Sequence, residues 1–118
     1  MEEAGNRART QPPPPRVVFE ALTEPDRDPR RPWLFLLADE QPPRVLRAEP
    51  DRLVVWSSLW PSRPDAEIRF ELEPEGAETR LRWILLVEAP LPDASKLGHL
   101  RKRLNQLING DLRSTFGQ

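Results

Sequence analysis

The sequence predicts a single α+β domain, and three observations lead to that fold class. The chain has 118 residues, of which 37% are apolar, enough for one hydrophobic core but not for two. Its central part shows the alternation of polar and apolar side chains that is typical of antiparallel strands. It ends with apolar residues at the spacing of a long amphipathic helix.

The composition argues against several kinds of function. The chain has no cysteine and one histidine, His99, so disulfides, thiolate chemistry and multi-histidine metal sites are excluded. Its 18 basic and 19 acidic residues provide no global field for nucleic acid. No stretch reaches the roughly 18 apolar residues of a membrane span, and no secretory signal is visible. We therefore expect a cytoplasmic protein that needs no cofactor and binds no nucleic acid.

The N-terminal residues 1–11 carry no apolar pattern, and we expect them to form a disordered arm ahead of a single domain at 12–118. The prolines at 12–15 favour the polyproline II conformation and lead into a short helix over residues 16–24. Pro25 ends that helix, because the residue before a proline disfavours helical geometry.

Two apolar segments belong to this first part of the chain. Val18 and Leu22 lie four residues apart on the predicted helix, with Phe19 beside them, and give it an apolar stripe. The run Trp-Leu-Phe-Leu-Leu at 33–37 fits a strand or a helix equally well by periodicity. We favour a short helix or turn for this run.

The clearest strand pair lies between residues 66 and 87. Apolar side chains alternate with charged ones from Ala66 to Leu72, and the pattern resumes after a turn at 73–79. Pairing Glu73 with Arg80 places Phe70 opposite Trp83 and leaves the glutamate row in water. The sequence therefore predicts a hairpin with one buried face.

Two further strands are predicted before this hairpin. Residues 53–60 form a third strand, and if Trp60 opposes Ala66, then Trp56 opposes Phe70. Trp56, Phe70 and Trp83 would then form one row across the sheet. Residues 44–48 form a fourth strand that turns at Glu49-Pro50-Asp51.

The final predicted element is a helix of about twenty residues that Asp93 caps. Its apolar stripe consists of Leu97, Leu100, Leu104, Leu107, Ile108 and Leu112. Lys96 and residues 101–103 form a basic outer side, for which a solvated face is favoured over RNA or phosphate binding. Gly98 allows either a close approach of helix and sheet or a portal to a cavity.

Two strings of this sequence resemble motifs of the helix-grip superfamily (SRPBCC), which includes START, polyketide-cyclase and birch-pollen-allergen-like proteins. The string Pro14 to Pro25 is similar to that family's first-helix signature, Pro-x-x-Val-aromatic-x-Ala-Leu-Thr-Asp/Glu-Pro. The string Gly76 to Leu81 is similar to its Gly-x-x-Thr-x-Leu hairpin. The resemblance extends over about residues 12–116, including the position of the last helix.

The resemblance implies a fold and a kind of site. The fold would be a curved antiparallel sheet packed around the C-terminal helix, with a short N-terminal helix or helices. Members commonly enclose an apolar cavity between sheet and helix. They usually have a strand before the first helix and more strands than we predict here, so we expect a small or open cavity with an exposed sheet edge.

The candidate ligand-binding residues are the aromatic side chains, one hydroxyl and the helix stripe. They are Phe19, Leu22, Trp33, Trp56, Ser58, Trp60, Phe70, Trp83, Leu97, Leu100 and Leu104. Large rigid rings line apolar pockets and also fill cores, so we expect the set to be divided between cavity and core. No spacing pairs His99 with a carboxylate, and Ser57 and Ser58 lack the context of nucleophiles, so no catalytic or metal-binding residue is predicted.

Three functions remain open at this point. The first is the binding of a small apolar or amphipathic molecule between the sheet and the helix at 93–116. The second is an enzyme similar to a polyketide cyclase or aromatase, which would need a buried acid or base that faces the cavity. The third is a protein-interaction module similar to chaperone activators, which would use the sheet edge or Leu53, Val55 and Leu59. We expect a monomer or a weak homodimer through an exposed sheet edge.

Overall fold

An antiparallel sheet and a long C-terminal helix make up most of this α+β fold, in a computed structural model that describes residues 1–116. The elements, in chain order, are β1 (Glu2–Gln11), α1 (Pro15–Thr23), β2 (Val45–Glu49), β3 (Leu53–Ser57), β4 (Glu67–Glu75), β5 (Glu78–Val87) and α2 (Ala94–Asn105). A π-helical stretch (Gln106–Leu112) and a last turn, α3 (Arg113–Thr115), continue α2. We call the whole of 94–115 the C-terminal helix. No helix of the described residues is long and apolar enough to span a membrane.

The sheet has five strands in the order β1-β5-β4-β3-β2, and every neighbouring pair is antiparallel. The predicted register of the central hairpin is confirmed, with Phe70 opposite Trp83 and Glu73 opposite Arg80. Gly76 has a φ of +63° in the turn that joins β4 to β5, a left-handed conformation that glycine adopts without steric penalty.

The predicted register between β3 and β4 is wrong by two residues. Trp56 lies opposite Ile68, and Val54 lies opposite Phe70. The prediction assumed that β3 continues to Trp60, but the strand ends at Ser57. The Ser58 hydroxyl accepts a hydrogen bond from the Trp60 backbone N–H at 3.0 Å and so folds the chain out of the strand.

The predicted disordered arm at 1–11 is also wrong, because these residues form β1 at one edge of the sheet. Residues from Glu2 to Gln11 pair with β5, with an irregularity at Glu3/Gly5. The inward positions of this strand are polar and lie opposite residues of β5: Arg7, Arg9 and Gln11. Arg9 and Gln11 bond to Asn109 of the C-terminal helix, so the strand needs no apolar alternation. An edge strand that covers polar groups gives no hydrophobic period to detect.

The segment at 33–37 is neither the predicted helix nor a strand. It is an irregular connection with a tight turn, in which the Phe35 N–H bonds to the Trp33 carbonyl at 3.0 Å. Trp33 is buried, whereas Phe35 and Leu37 are exposed. The segment keeps its shape through tertiary contacts with the C-terminal helix, and such contacts have no local sequence signal.

The C-terminal helix begins as predicted, with the Asp93 carboxylate accepting a hydrogen bond from the Lys96 N–H at 2.9 Å. Its apolar stripe is buried along its whole length, from Leu97 to Leu112. The prediction of a wholly solvated basic side is wrong for Arg103, which is 5% exposed. Gly98 makes no close approach, because a Cβ added there would meet no atom within 4 Å.

Candidate functional site

An aromatic cluster fills the space between α1, the 33–37 segment and the sheet. The rings of Trp33 and Trp56 stack with centroids 6.0 Å apart, and Phe70 meets Trp56 edge-on at 4.7 Å. All three side chains are buried. Contacts of this kind stabilise a core beyond the burial of area alone, so these rings are packed against one another.

Two of the indoles in this cluster also complete the hydrogen bonding of α1. Trp33 Nε1 donates to the Ala21 carbonyl at 3.2 Å, and Trp56 Nε1 donates to the Leu22 carbonyl at 2.9 Å. The last carbonyls of a helix have no partner within the helix. Trp33 and Trp56 therefore anchor the end of α1, and their polar atoms are already occupied.

Ser58 and Trp60 lie at the other end of the cluster. The Ser58 hydroxyl donates to the Arg63 carbonyl at 2.8 Å and accepts from the Trp60 N–H, so it stabilises the turn after β3. Trp60 Nε1 is buried and makes no hydrogen bond of regular geometry in the described chain. Its N–H is nevertheless close enough to the Glu40 carboxylate to contribute to lowering the pKa of that group.

A buried ion pair joins the 33–43 connection to the C-terminal helix. Arg103 Nε and Nη2 donate to the two Glu40 oxygens at 2.7 and 2.8 Å, and the Glu40 side chain is 1% exposed. Arg103 Nη2 also donates to the Phe35 carbonyl at 2.6 Å. Burial raises the pKa of Glu40, but hydrogen bonds from Arg103 and from the Leu37 N–H outweigh it, so the pKa lies below its usual value.

A second region of the sheet–helix interface is open to solvent. A cavity of about 300 Å³ lies between the edge strand β1 and the C-terminal helix. We call it the basic cleft, and it is lined by Asn6, Arg7, Trp83, Arg101, Lys102 and Asn105. Three of these residues are cationic, and none is a carboxylate.

Trp83 forms the apolar part of the basic cleft and differs from the other three tryptophans. Its side chain is 2% exposed and lies on the inner face of β5, opposite Arg7 of β1. Its Nε1 is buried and has no acceptor among residues 1–116. An unpartnered buried donor is destabilising unless a ligand or water accepts from it.

Arg101 is held across β1 by a close contact with the backbone. Its Nε donates to the Ala4 carbonyl at 2.6 Å. A Cβ added to Gly5 would lie 2.7 Å from that same Nε, so the glycine leaves the room that the guanidinium occupies. The prediction that Arg101 is simply a solvated residue missed this contact, which depends on two residues 97 positions apart.

Other grooves on the surface are less suited to an amphipathic ligand. An open groove of about 500 Å³ is lined by arginines and glutamates, so its lining carries both signs of charge, and two of its arginines, Arg47 and Arg52, pair with Glu49. A groove of about 230 Å³ runs along α1 past Trp33. His99 is exposed and borders a cavity of about 170 Å³ that includes Leu37 and Arg103.

The eleven predicted cavity residues are distributed over this interface. Ten are buried, and Phe19 is partly buried against the core. The predicted row of Trp56, Phe70 and Trp83 is not one aligned row, since Trp56 is displaced by two positions. Among the grooves described above, Trp33 and Trp83 are the predicted residues that reach a surface cavity. Arg7, Arg101 and Asn105 were missed, because polar residues on an unrecognised edge strand and on a helix flank carry no signal.

Comparison with known proteins gives structural likeness only. The chain matches no protein-family model and no curated protein sequence. It is similar to the crystal structure of CalU16 from Micromonospora echinospora, with a TM-score of 0.71 and 21% identity, covering 94% of this chain and 74% of that one.

Two further solved structures are similar over most of this chain. The Aha1 dimer from Colwellia psychrerythraea has a TM-score of 0.69 and 18% identity, with 92% of this chain and 91% of that chain covered. DynU16, from the dynemicin biosynthetic locus, has a TM-score of 0.65 and 17% identity, with 92% of this chain and 45% of that chain covered. The sheet, the C-terminal helix and these likenesses together show that the chain has the helix-grip fold that its sequence motifs predicted.

Proposed function

We propose that this protein binds a small amphipathic molecule between the sheet and the C-terminal helix, at the basic cleft. The observation that carries the proposal is that Trp83, a buried aromatic side chain whose indole N–H has no acceptor in the described chain, lines a cavity of about 300 Å³. That volume is at the lower end of the range of about 300 to 1,000 Å³ for ligand pockets, so the ligand is expected to be small.

The other predicted residues have supporting roles in this proposal. Trp33, Trp56 and Phe70 form a packed wall behind the site, and Leu97, Leu100 and Leu104 fix the helix on the sheet. Phe19, Leu22, Ser58 and Trp60 belong to the surrounding core and turn. A rigid frame of this kind favours binding, because little ordering is needed when the ligand enters.

The proposal is tested by nuclear magnetic resonance of the four tryptophan indole groups. In a titration with flat aromatic and acyl ligands, the Trp83 indole signal should shift, together with amides of Leu100 and Asn105. The Trp33 indole signal, whose N–H is bonded to Ala21, serves as the internal control and should move little. If the Trp83 signal stays unmoved at millimolar ligand, the cleft does not bind such molecules.

A second candidate function is protein interaction, which an exposed apolar surface favours. Phe35 and Leu37 are 57% and 49% exposed, and Val45 and Leu46 on the edge strand β2 are 41% and 46% exposed. The similar Aha1 structure is a dimer. The sequence suggested either the sheet edge or Leu53, Val55 and Leu59 for this role, and two residues of the second surface, Val55 and Leu59, are buried.

The cyclase-like alternative is the least supported of the three. It requires a buried acid or base that can exchange protons with a ligand. Glu40 is a buried carboxylate, but Arg103 and the Leu37 N–H occupy its oxygens and lower its pKa. A carboxylate held ionised in this way stabilises the connection and is a poor proton donor.

A further inference from the structure

We infer that the basic cleft binds the anionic head group of its ligand, a carboxylate or a phosphate, while the apolar part lies on Trp83. This inference depends on the proposed function, since it specifies the chemistry of the ligand at the same site. Three observations support it: the unpaired cations of the cleft, the contact that holds one arginine, and the free donors of two neutral polar residues.

The charge of the cleft is not neutralised by the protein. Arg7, Arg101 and Lys102 line it, and none of them takes part in a salt bridge within residues 1–116. Elsewhere some cations are paired with carboxylates, as Arg16, Arg27 and Arg47 are, and others, such as Lys96, are not. The cleft is distinguished by having three unpaired cations around one cavity. Three unpaired cations around a partly enclosed cavity attract an anion more strongly than dispersed surface charges do.

Arg101 is positioned before any ligand arrives. The bond from its Nε to the Ala4 carbonyl and the space above Gly5 fix the guanidinium against β1. Neither of its Nη atoms donates to an acceptor in the described part of the chain. An immobilised guanidinium with both Nη atoms free matches the planar, two-oxygen geometry of a carboxylate or phosphate, and little side-chain entropy remains to be lost.

Two of the three neutral polar residues of the cleft offer a free donor, whereas the third, Asn6, already donates to Glu3 and accepts from Arg82. Asn105 Oδ1 accepts from Asn109 Nδ2 at 2.7 Å, which leaves the Asn105 amide nitrogen to donate. Trp83 Nε1 is a donor without an acceptor. A site with cations and neutral donors, and with no carboxylate in its lining, selects an acceptor-rich anion over a cation or a neutral alcohol.

The experiment compares three ligands with one chain length and different head groups: octanoate, octyl phosphate and 1-octanol. Affinities are measured by calorimetry, and the Trp83 indole signal reports the location of binding. We expect the two anions to bind at least about tenfold more tightly than 1-octanol. Their affinity should fall when the salt concentration is raised, because salt screens the charges. The ratio of the affinities for octanoate and octyl phosphate shows whether the site prefers a carboxylate or a phosphate.

Variants that remove single charges test the residues. Arg101→Gln and Arg7→Gln should each weaken octanoate binding about fivefold and leave 1-octanol unchanged. Lys96→Gln, which removes a charge from an exposed position on the same helix outside the cleft, is the matched control and should have no effect. Arg7 is exposed on the edge strand, so its variant keeps the test valid if Arg101→Gln does not fold.

Two outcomes would overturn the inference, and they are distinguishable. If 1-octanol binds as tightly as octanoate and the variants behave like Lys96→Gln, the site binds the alkyl chain and does not recognise the anionic head group. The proposed function would then stand, but this inference would be wrong. If none of the three ligands moves the Trp83 signal, both are wrong.

Discussion

Two arginines of the C-terminal helix that lie two positions apart, Arg101 and Arg103, have opposite environments. Arg101 lies in the basic cleft and bonds to the Ala4 carbonyl, whereas Arg103 is buried in an ion pair with Glu40. Successive residues of a helix point about 100° apart, so two positions of separation place the side chains on nearly opposite flanks. The basic run at 101–103 is therefore not one charged face: Arg101 lines the basic cleft, and Arg103 is part of the buried ion pair.

Removing Glu40 should strongly destabilise the fold. In Glu40→Ala the buried Arg103 guanidinium would lose the carboxylate that it bonds to directly, and the free energy of unfolding should fall by about 3 to 5 kcal/mol in urea melts. Glu24→Ala is the control, because Glu24 pairs with Arg27 on the surface and should lose less than about 1 kcal/mol. Equal losses in the free energy of unfolding would show that the buried pair stabilises the fold no more than the surface pair does.

The same carboxylate should make stability depend on pH. Glu40 has a pKa below its usual value in the folded state, so the stability that it provides is complete above the unfolded pKa of about 4.3 and is lost as the pH falls through the folded pKa. The difference in unfolding free energy between the native chain and Glu40→Gln should therefore shrink on acidification below about pH 4.3.

Asp111 provides a control of opposite sign for this pH dependence. Burial raises its pKa, more than the charge of Arg103 lowers it. The native chain should therefore gain stability relative to Asp111→Asn as the pH falls through that raised value. The assignment of the ionisation states is wrong if both differences change in the same direction.

At the level of elements, the sequence predicted those whose two faces differ in polarity. The β4–β5 hairpin has one apolar and one charged row, and the C-terminal helix has a continuous leucine stripe, so their existence and the hairpin register could be read directly. β1 was missed because its inward side chains are polar. The segment at 33–37 could not be assigned, because its shape depends on Arg103, 68 residues beyond Phe35, together with the nearby Glu40.

Deleting residues 1–11 should disrupt the fold, contrary to what a disordered arm would do. The deletion removes an entire partner of β5, and it leaves Arg101, Arg113 and Asn109 without their contacts to Ala4, Thr10 and Gln11. We expect the midpoint of thermal unfolding to fall by more than about 10 °C.

Deleting residues 1–3 is the control for that experiment. It removes only the pairs before the irregularity at Glu3/Gly5 and keeps Ala4 as the acceptor for Arg101. The midpoint should then change by less than about 4 °C. A chain without residues 1–11 that unfolds at the native temperature would contradict the assignment of β1 as a structural strand.

The leucine stripe of the C-terminal helix should account for much of the stability. Leu104 is completely buried, so Leu104→Ala should lower the free energy of unfolding by about 2 to 5 kcal/mol. Lys102→Ala changes an exposed residue two positions away and should have an effect below about 0.5 kcal/mol. Similar, small effects in urea melts would mean that the helix is not anchored by this stripe.

At the scale of the whole molecule, one half of the sheet–helix interface is packed with apolar side chains, and the other half is polar and open to solvent. The aromatic cluster of Trp33, Trp56 and Phe70 fills one half, and β1 with its arginines closes the other. The sequence predicted the buried rings, since apolar periodicity reveals what is removed from water. It did not predict the cleft, because a site made from an edge strand and a helix flank exists only after both have packed together.

The exposed edge of β2 should allow weak self-association. Val45 and Leu46 are exposed apolar residues on a short edge strand, and such edges pair readily with other strands. Sedimentation velocity should reveal a concentration-dependent dimer, which Leu46→Lys should shift towards monomer. Arg47→Lys, which keeps the charge on the same strand, is the control. A chain that remains monomeric at millimolar concentration would exclude this interface.

The pairing of the first strand with the last one also has a consequence for synthesis on the ribosome. Glu2 leaves the ribosome 85 residues before Val87, its partner in β5, and Gln11 leaves it 68 residues before Thr79. At about 5 to 20 residues per second, β1 therefore waits for roughly 3 to 17 s without its neighbour. A strand rich in apolar residues would be prone to aggregate during that interval, whereas the charged composition of β1 protects the nascent chain. The polar sequence that concealed this strand from pattern analysis thus also keeps it soluble until β5 has been made.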